Sequence, residues 1–175
     1  MSESKCVLLG HGAANSKSTL GIIKTSLSLV GARIDPHIFN GVGGNQLKRN
    51  RADRIVRSGN ALIVELSDYS TGNGRACACE QYMLEVAAHS GIPCVLIINE
   101  PWHFEQTRFL TNPYIITAIK LVVLHDLIGE QEFVIASRFP EAKVDRLSRR
   151  ATDEIAGWIK RLADVHAASF STEAA

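Results

Sequence analysis

The stretch Lys5-Cys6-Val7-Leu8-Leu9-Gly10-His11-Gly12-Ala13-Ala14-Asn15-Ser16-Lys17-Ser18-Thr19 decides the fold. Its apolar start lacks polar alternation, as expected of a parallel strand covered on both faces. A turn of small residues follows. Leu20, Ile23, Leu27 and Val30 then recur at three- and four-residue intervals, which predicts a helix over Ser16–Val30.

The same unit returns along the chain. Continuous apolar runs predict strands at Ala61–Leu66, Cys94–Ile98, Lys120–Leu124 and Glu132–Ala136. Arg33–Phe39 is a weaker run, and Pro36 assigns it to a sheet edge or an irregular start. Helical spacing marks Asn45–Ser58, through Leu47, Ala52, Ile55 and Val56. It marks Arg75–Ser90 through Cys79, Met83, Val86 and Ala87, and Val144–Ala167 through Leu147, Ile155, Ile159 and Leu162. Gly31, Gly59 and Gly91 each follow a helix, where glycine can take the left-handed conformation that ends it. Asn15 or Ser16, Asn45 and Asn73 are the expected N-caps. The repeat length of about 30 residues is that of a βα unit. The prediction is an α/β, three-layer Rossmann-like fold: a mainly parallel sheet of about six strands with helices on both faces. Residues 1–168 form one domain in this reading, and 169–175 a disordered tail.

Composition narrows the partners. The 175 residues suit one domain, and a net charge of +1 offers no global field for nucleic acid or an anionic membrane. The basic set Lys48, Arg49, Arg51, Arg54 and Arg57 reads as a solvated helix face. No run approaches the roughly 18 apolar residues of a membrane helix. Cys6 and Cys94 fall in strands, and Cys77 and Cys79 stand too close for an easy bridge. No second Cys/His pair completes a structural zinc site. A reduced, cytoplasmic protein without metal or cofactor is expected.

Ligands of doubly wound sheets bind beyond the carboxyl ends of the strands, where strand order reverses. Three loops should open there. The first carries Gly10, His11, Gly12, Asn15, Ser16, Lys17 and Ser18 at a helix amino end, suited to a phosphate, a carboxylate or a sugar hydroxyl, or simply to a tight turn and polar cap. It is no Walker loop, because Ser16 precedes Lys17 and His11 stands where the first glycine belongs. It is no dinucleotide fingerprint, because Asn15 replaces the third glycine and Phe39-Asn40 stands where an acidic residue belongs. The second loop offers Ser67, Asp68, Thr71, Gly72 and Asn73, with Glu80 on the helix behind it, either aimed at the pocket or on the surface. The third offers Glu100, Trp102, His103 and Arg108. Trp102 can stack on a base or sugar, and Glu100 or His103 can move a proton; alternatively the aromatic residues only cover the core. His125, beside Asp126, and Arg138, as an anion clamp, complete the candidates.

Two resemblances follow from these residues. Glu80-Gln81-Tyr82-Met83-Leu84-Glu85-Val86-Ala87-Ala88-His89-Ser90-Gly91-Ile92-Pro93, then Glu100–Phe104 with Arg108-Phe109, then Phe133–Pro140 and Asp145-Arg146, resemble the amino-terminal half of GT-B glycosyltransferases and nucleotide-sugar epimerase-like proteins over residues 5–147. The carboxyl-terminal half that holds the donor nucleotide in those enzymes is missing, so this resemblance implies a partner subunit. Ser67-Asp68, Thr71-Gly72, Glu80 and Gly91–Val95 are similar to the nucleoside deoxyribosyltransferase-like group. That resemblance implies Glu80 as nucleophile at the anomeric carbon and Asp68 as its assistant. Three readings result: a domain binding a nucleotide or sugar-type small molecule, transferring a glycosyl group with a partner; an enzyme of N-glycosidic bonds; or a non-catalytic protein acting as a homo-oligomer or through a partner.

Overall fold

The computed structural model describes residues 3–11, 18–39, 49–70, 75–125, 131–148 and 151–173. Its strands are β1 (Lys5–His11), β2 (Arg33–Phe39), β3 (Ala61–Glu65), β4 (Cys94–Ile98), β5 (Ile119–Leu124) and β6 (Lys143–Arg146). Its α-helices are α1 (Thr19–Leu29), α2 (Arg49–Arg57), α3 (Arg75–His89), α4 (Pro101–Gln106), α5 (Pro113–Ala118), α6 (Glu132–Arg138) and α7 (Thr152–Glu173).

The six strands run parallel in the order β2-β1-β3-β4-β5-β6. Strand order therefore reverses between β1 and β3. This is the flavodoxin-like variant of the doubly wound sheet, extended by one strand, and it differs from the dinucleotide-binding order. Pro36 sits on the edge strand β2, where its missing N–H interrupts no central ladder.

Side chains alternate across the sheet. Val7, Leu9, Leu62, Val64, Leu96 and Val122 point to one face, which α2 to α6 cover. Cys6, Leu8, Ile63, Val95, Ile97 and Val123 point to the other, which α1 and α7 cover. Burial on both faces explains why the central strands read as unbroken apolar runs. At the amino edge of the sheet, the Lys5 N–H donates to Asn60 Oδ1 at 2.9 Å, and Asn60 Nδ2 lies 3.1 Å from His166 Nδ1. The Ser4 hydroxyl donates to Asp164. These bonds hold α7 against the start of β1. Burial pushes the Cys6 and Cys94 thiols up to about 12, so neither is a ready nucleophile.

Several expectations are corrected. Glu132–Ala136 is the start of helix α6, not a strand. Phe133 and Val134 are exposed and Ile135 alone of the three is buried, a one-sided pattern that a strand covered on both faces would not show. The sixth strand is Lys143–Arg146, short and charged, as suits an unprotected edge. Val144 thus belongs to β6, and the final helix starts at Thr152. That helix continues through residues 169–173, where a disordered tail was expected. Ser18 is the N-cap of α1, accepting from the Gly21 N–H at 3.0 Å. Gly31 and Gly91 have positive φ, but Gly59 does not. Gly59 instead serves close packing: a Cβ there would meet Val7 Cγ2 at 2.6 Å. Leu47, Asn45 and Asn73 lie outside the described residues. No helix among the described residues is long and apolar enough to cross a membrane.

Gly59→Ala should therefore overpack the β1–α2 contact. The expected cost is about 1–3 kcal/mol, a fall in Tm of several degrees in a thermal melt; an unchanged Tm would mean that Val7 gives way freely.

Candidate functional site

The end of β1, the end of β3 and the segment after β4 share the carboxyl edge of the parallel sheet. Their convergence centres on Glu65, the last residue of β3, which is only 8% exposed. Its Oε2 accepts the Leu20 N–H of α1 at 3.1 Å and Asn99 Nδ2, just past β4, at 3.1 Å. Gly10 permits this approach: a Cβ there would meet Leu20 Cδ2 at 2.5 Å. Burial pushes the Glu65 pKa up, opposed by the Asn99 and Leu20 hydrogen bonds and, when its ring is protonated, by His103, while Glu80 raises it further.

This arrangement alters the role of the α1 amino end. The Leu20 N–H is bound to Glu65 and the Gly21 N–H to Ser18. Two amides of the first turn, expected to face an anionic ligand, are satisfied within the protein. His11 ends β1, but its side chain is not described. Gly12, Asn15, Ser16, Lys17, Thr71, Gly72, Asn73 and Asp126 lie outside the described residues.

The third loop forms α4 from its first residue, since Pro101 stands at the helix start, where no amide partner is lost. This turns His103 and Phe104 inward. His103 is buried, and its Nε2 lies 2.7 Å from Oδ1 of the exposed Asp68. Asp68 opens a short 3-10 turn in which Ser70 Oγ accepts the Ser67 N–H at 2.9 Å. A carboxylate only accepts, so His103 Nε2 carries the proton. The other ring nitrogen, Nδ1, is buried and has no hydrogen-bond partner among the described residues. Trp102 packs on His103 with ring centroids 4.5 Å apart and remains 41% exposed.

The other candidates separate. Glu80 is fully buried on α3, so it is not a surface glutamate. Glu100 is exposed and caps α4 with no side-chain bond. Arg108 is exposed on a 3-10 turn. His125 follows β5, and its N–H donates to the Ile98 carbonyl at 3.0 Å. Arg138 was expected beyond a strand end; it ends α6, where its Nη1 donates to the Leu110 carbonyl at 3.3 Å and its guanidinium lies 5.2 Å from the centre of the Phe104 ring. It clamps α6 to the α4 segment. Among the described residues no group of three or more His, Cys, Asp or Glu could hold a metal ion.

Sequence reasoning missed Glu65 and Asn99. The signal was available for Glu65: a carboxylate inside the apolar run Ala61–Leu66 is costly to bury unless it holds specific donors.

No family model matches this chain, and no curated protein matches it. Similar solved structures include a flavodoxin from the domain Archaea, with 12% identity, TM-score 0.39, and coverage of 93% of this chain and 98% of that one. A WrbA-like flavodoxin from Agrobacterium tumefaciens shows 10% identity, TM-score 0.44 and coverage of 94% and 98%. An NADPH-quinone reductase from P. pentosaceus shows 8%, 0.42, and 91% and 97%. None of these is a GT-B glycosyltransferase, a nucleotide-sugar epimerase or a nucleoside deoxyribosyltransferase. Both resemblances are corrected by the structure: α6 stands where the glycosyltransferase-like pattern assumed a strand at Phe133 and the strand order is not the dinucleotide-binding one, while Glu80, the nucleophile of the deoxyribosyltransferase-like reading, is fully buried. The transferase and glycosyltransferase assignments fall with them.

Ionising Glu65 must act against stability, because its folded pKa is raised. The penalty is absent below pH 4.5, the ordinary value, and grows as pH rises through the raised one. Glu65→Gln, with its amide oxygen in the place of Oε2 to accept both the Leu20 and the Asn99 donors, should remove that loss. Its stability relative to the parent protein should increase between pH 4.5 and neutrality, by about 1.4 kcal/mol per unit of raised pKa. Chemical denaturation across this range measures it, and a pH-independent difference would contradict the assignment.

Proposed function

We propose that the carboxyl edge binds a small polyhydroxylated molecule of nucleotide or sugar type, recognised through its hydroxyl groups. The observation that carries this reading is His103, a buried imidazole with Nε2 committed to Asp68 and Nδ1 left without a partner among the described residues. A buried acceptor left unsatisfied costs about 1–3 kcal/mol, and a ligand hydroxyl would recover it. Acidic groups around this point favour a hydroxyl of the ligand over any phosphate beside His103: Glu65 and Asp68 present oxygens, and the Leu20 and Gly21 amides are already bound. Trp102 offers a half-open ring face beside His103 for a sugar or base. An imidazole oriented by a carboxylate can also take a proton, so His103 would act as general base towards the hydroxyl it binds.

Thermal shift with nucleosides, nucleotides including flavin mononucleotide, and hexoses tests the reading. A ligand at about 100-fold its Kd adds about 2.7 kcal/mol, which raises Tm by about 5–10 °C for a domain of this size. Asp68→Asn, at an exposed position, and His103→Gln should each remove most of that shift. A panel without any shift sinks the proposal, and an equal shift in both variants removes His103 and Asp68 from it.

A further inference from the structure

A second concavity lies at the opposite, amino edge of the sheet. It is a groove of about 510 Å³ between α7 and the segments leading into β4 and β5. Pro93, Trp158, Leu162 and Val165 form its apolar walls, and Lys120 and Arg161 stand among the residues that line it. Among the described residues no acidic one lines it. Its volume falls within the range of about 300–1,000 Å³ typical of small-molecule sites, and so does its apolar lining with few polar groups.

The charges around the groove are unevenly compensated. Lys120 Nζ lies 2.8 Å from Glu141, and Lys143 Nζ 3.2 Å from Asp145. Arg161 has no carboxylate partner among the described residues. Its guanidinium lies 5.0 Å from the Trp158 ring centre, and Lys143 Nζ 4.8 Å from the same ring. Two cations thus share one aromatic face system, and only one of them has an acid of its own. The Trp158 Nε1–H also lacks an acceptor among the described residues. Val165 is 70% exposed on the wall although it is apolar. The groove therefore presents apolar surface together with uncompensated positive charge.

We propose that this groove binds an anionic amphiphile, an apolar chain ending in a carboxylate. The chain would cover Leu162 and Val165, and the carboxylate would pair with Arg161. Such a ligand matches both properties at once. A neutral apolar chain would leave Arg161 uncompensated, and a small anion would leave the walls exposed.

Trp102 and Trp158 are the two tryptophans of the chain, so Trp102→Phe leaves Trp158 as the sole reporter. Titration of that protein with 10-bromodecanoate should quench Trp158 saturably. Decanoate should displace the probe and decanol should not. Arg161→Glu and Val165→Asp, both at exposed positions and so compatible with folding, should each weaken binding by about tenfold or more. Quenching that rises linearly without saturation, equal competition by decanol, or unchanged affinity in both variants would overturn the proposal. So would a concentration-dependent dimer in sedimentation equilibrium that Val165→Asp dissociates, because the groove's occupant would then be a second copy of the chain.

Discussion

The carboxylate of Glu65 joins three segments that meet where the strand order reverses. It ends β3, receives the first-turn amide of α1, and receives the side-chain amide of Asn99 beyond β4. α1 must leave the end of β1 and cross to the face it shares with α7. Its starting point is therefore set where β1 and β3 lie side by side. Gly10 allows Leu20 to come that close, since any side chain at Gly10 would collide with it. A buried carboxylate is tolerated because its donors come from elements that the sheet already holds in place.

The two edges of the sheet have opposite chemical character. At the carboxyl edge, Glu65, Asp68 and the His103 ring nitrogen present acceptors, and two amides of α1 are already used. At the amino edge, Lys120, Lys143 and Arg161 gather around apolar walls and Trp158. A net charge of +1 conceals this separation. The separation follows from topology: in a parallel sheet all strand ends of one kind collect on one edge, and so do the residues that flank them.

The readable parts of the sequence were those governed by burial on two faces. β2 and β4 have the bounds their apolar runs predicted, and α1, α2 and α3 bury Leu20, Ile23, Leu27, Ala52, Val56, Met83 and Ala87 from the stripes expected of them. The reading broke down at the far edge of the sheet. The four apolar residues Phe133–Ala136 suit a strand or a buried helix turn equally, and periodicity over so short a run does not separate them. The true edge strand, Lys143–Arg146, has two exposed and two half-buried residues and is correspondingly polar, so it lacked the apolar run used to find the others. Within the site, His103 was visible as a residue able to move a proton and Asp68 as a candidate catalytic assistant. Their 2.7 Å contact was not, because they are 35 positions apart and belong to different crossovers.

By itself the sequence determined that this chain forms a parallel α/β sheet with helices on both faces, since continuous apolar strands between helical stripes can be buried in no simpler way. It also determined that the ends of β1, β3 and β4 share one edge, because chain direction alone places them there. The tertiary structure decided the strand order, the use of Glu65 to hold α1, the pairing of His103 with Asp68 and the diversion of Arg138 into packing. Each of these depends on which crossovers become neighbours and on distances of a few ångströms between residues remote in sequence, and neither hydrophobic pattern nor local motif encodes those.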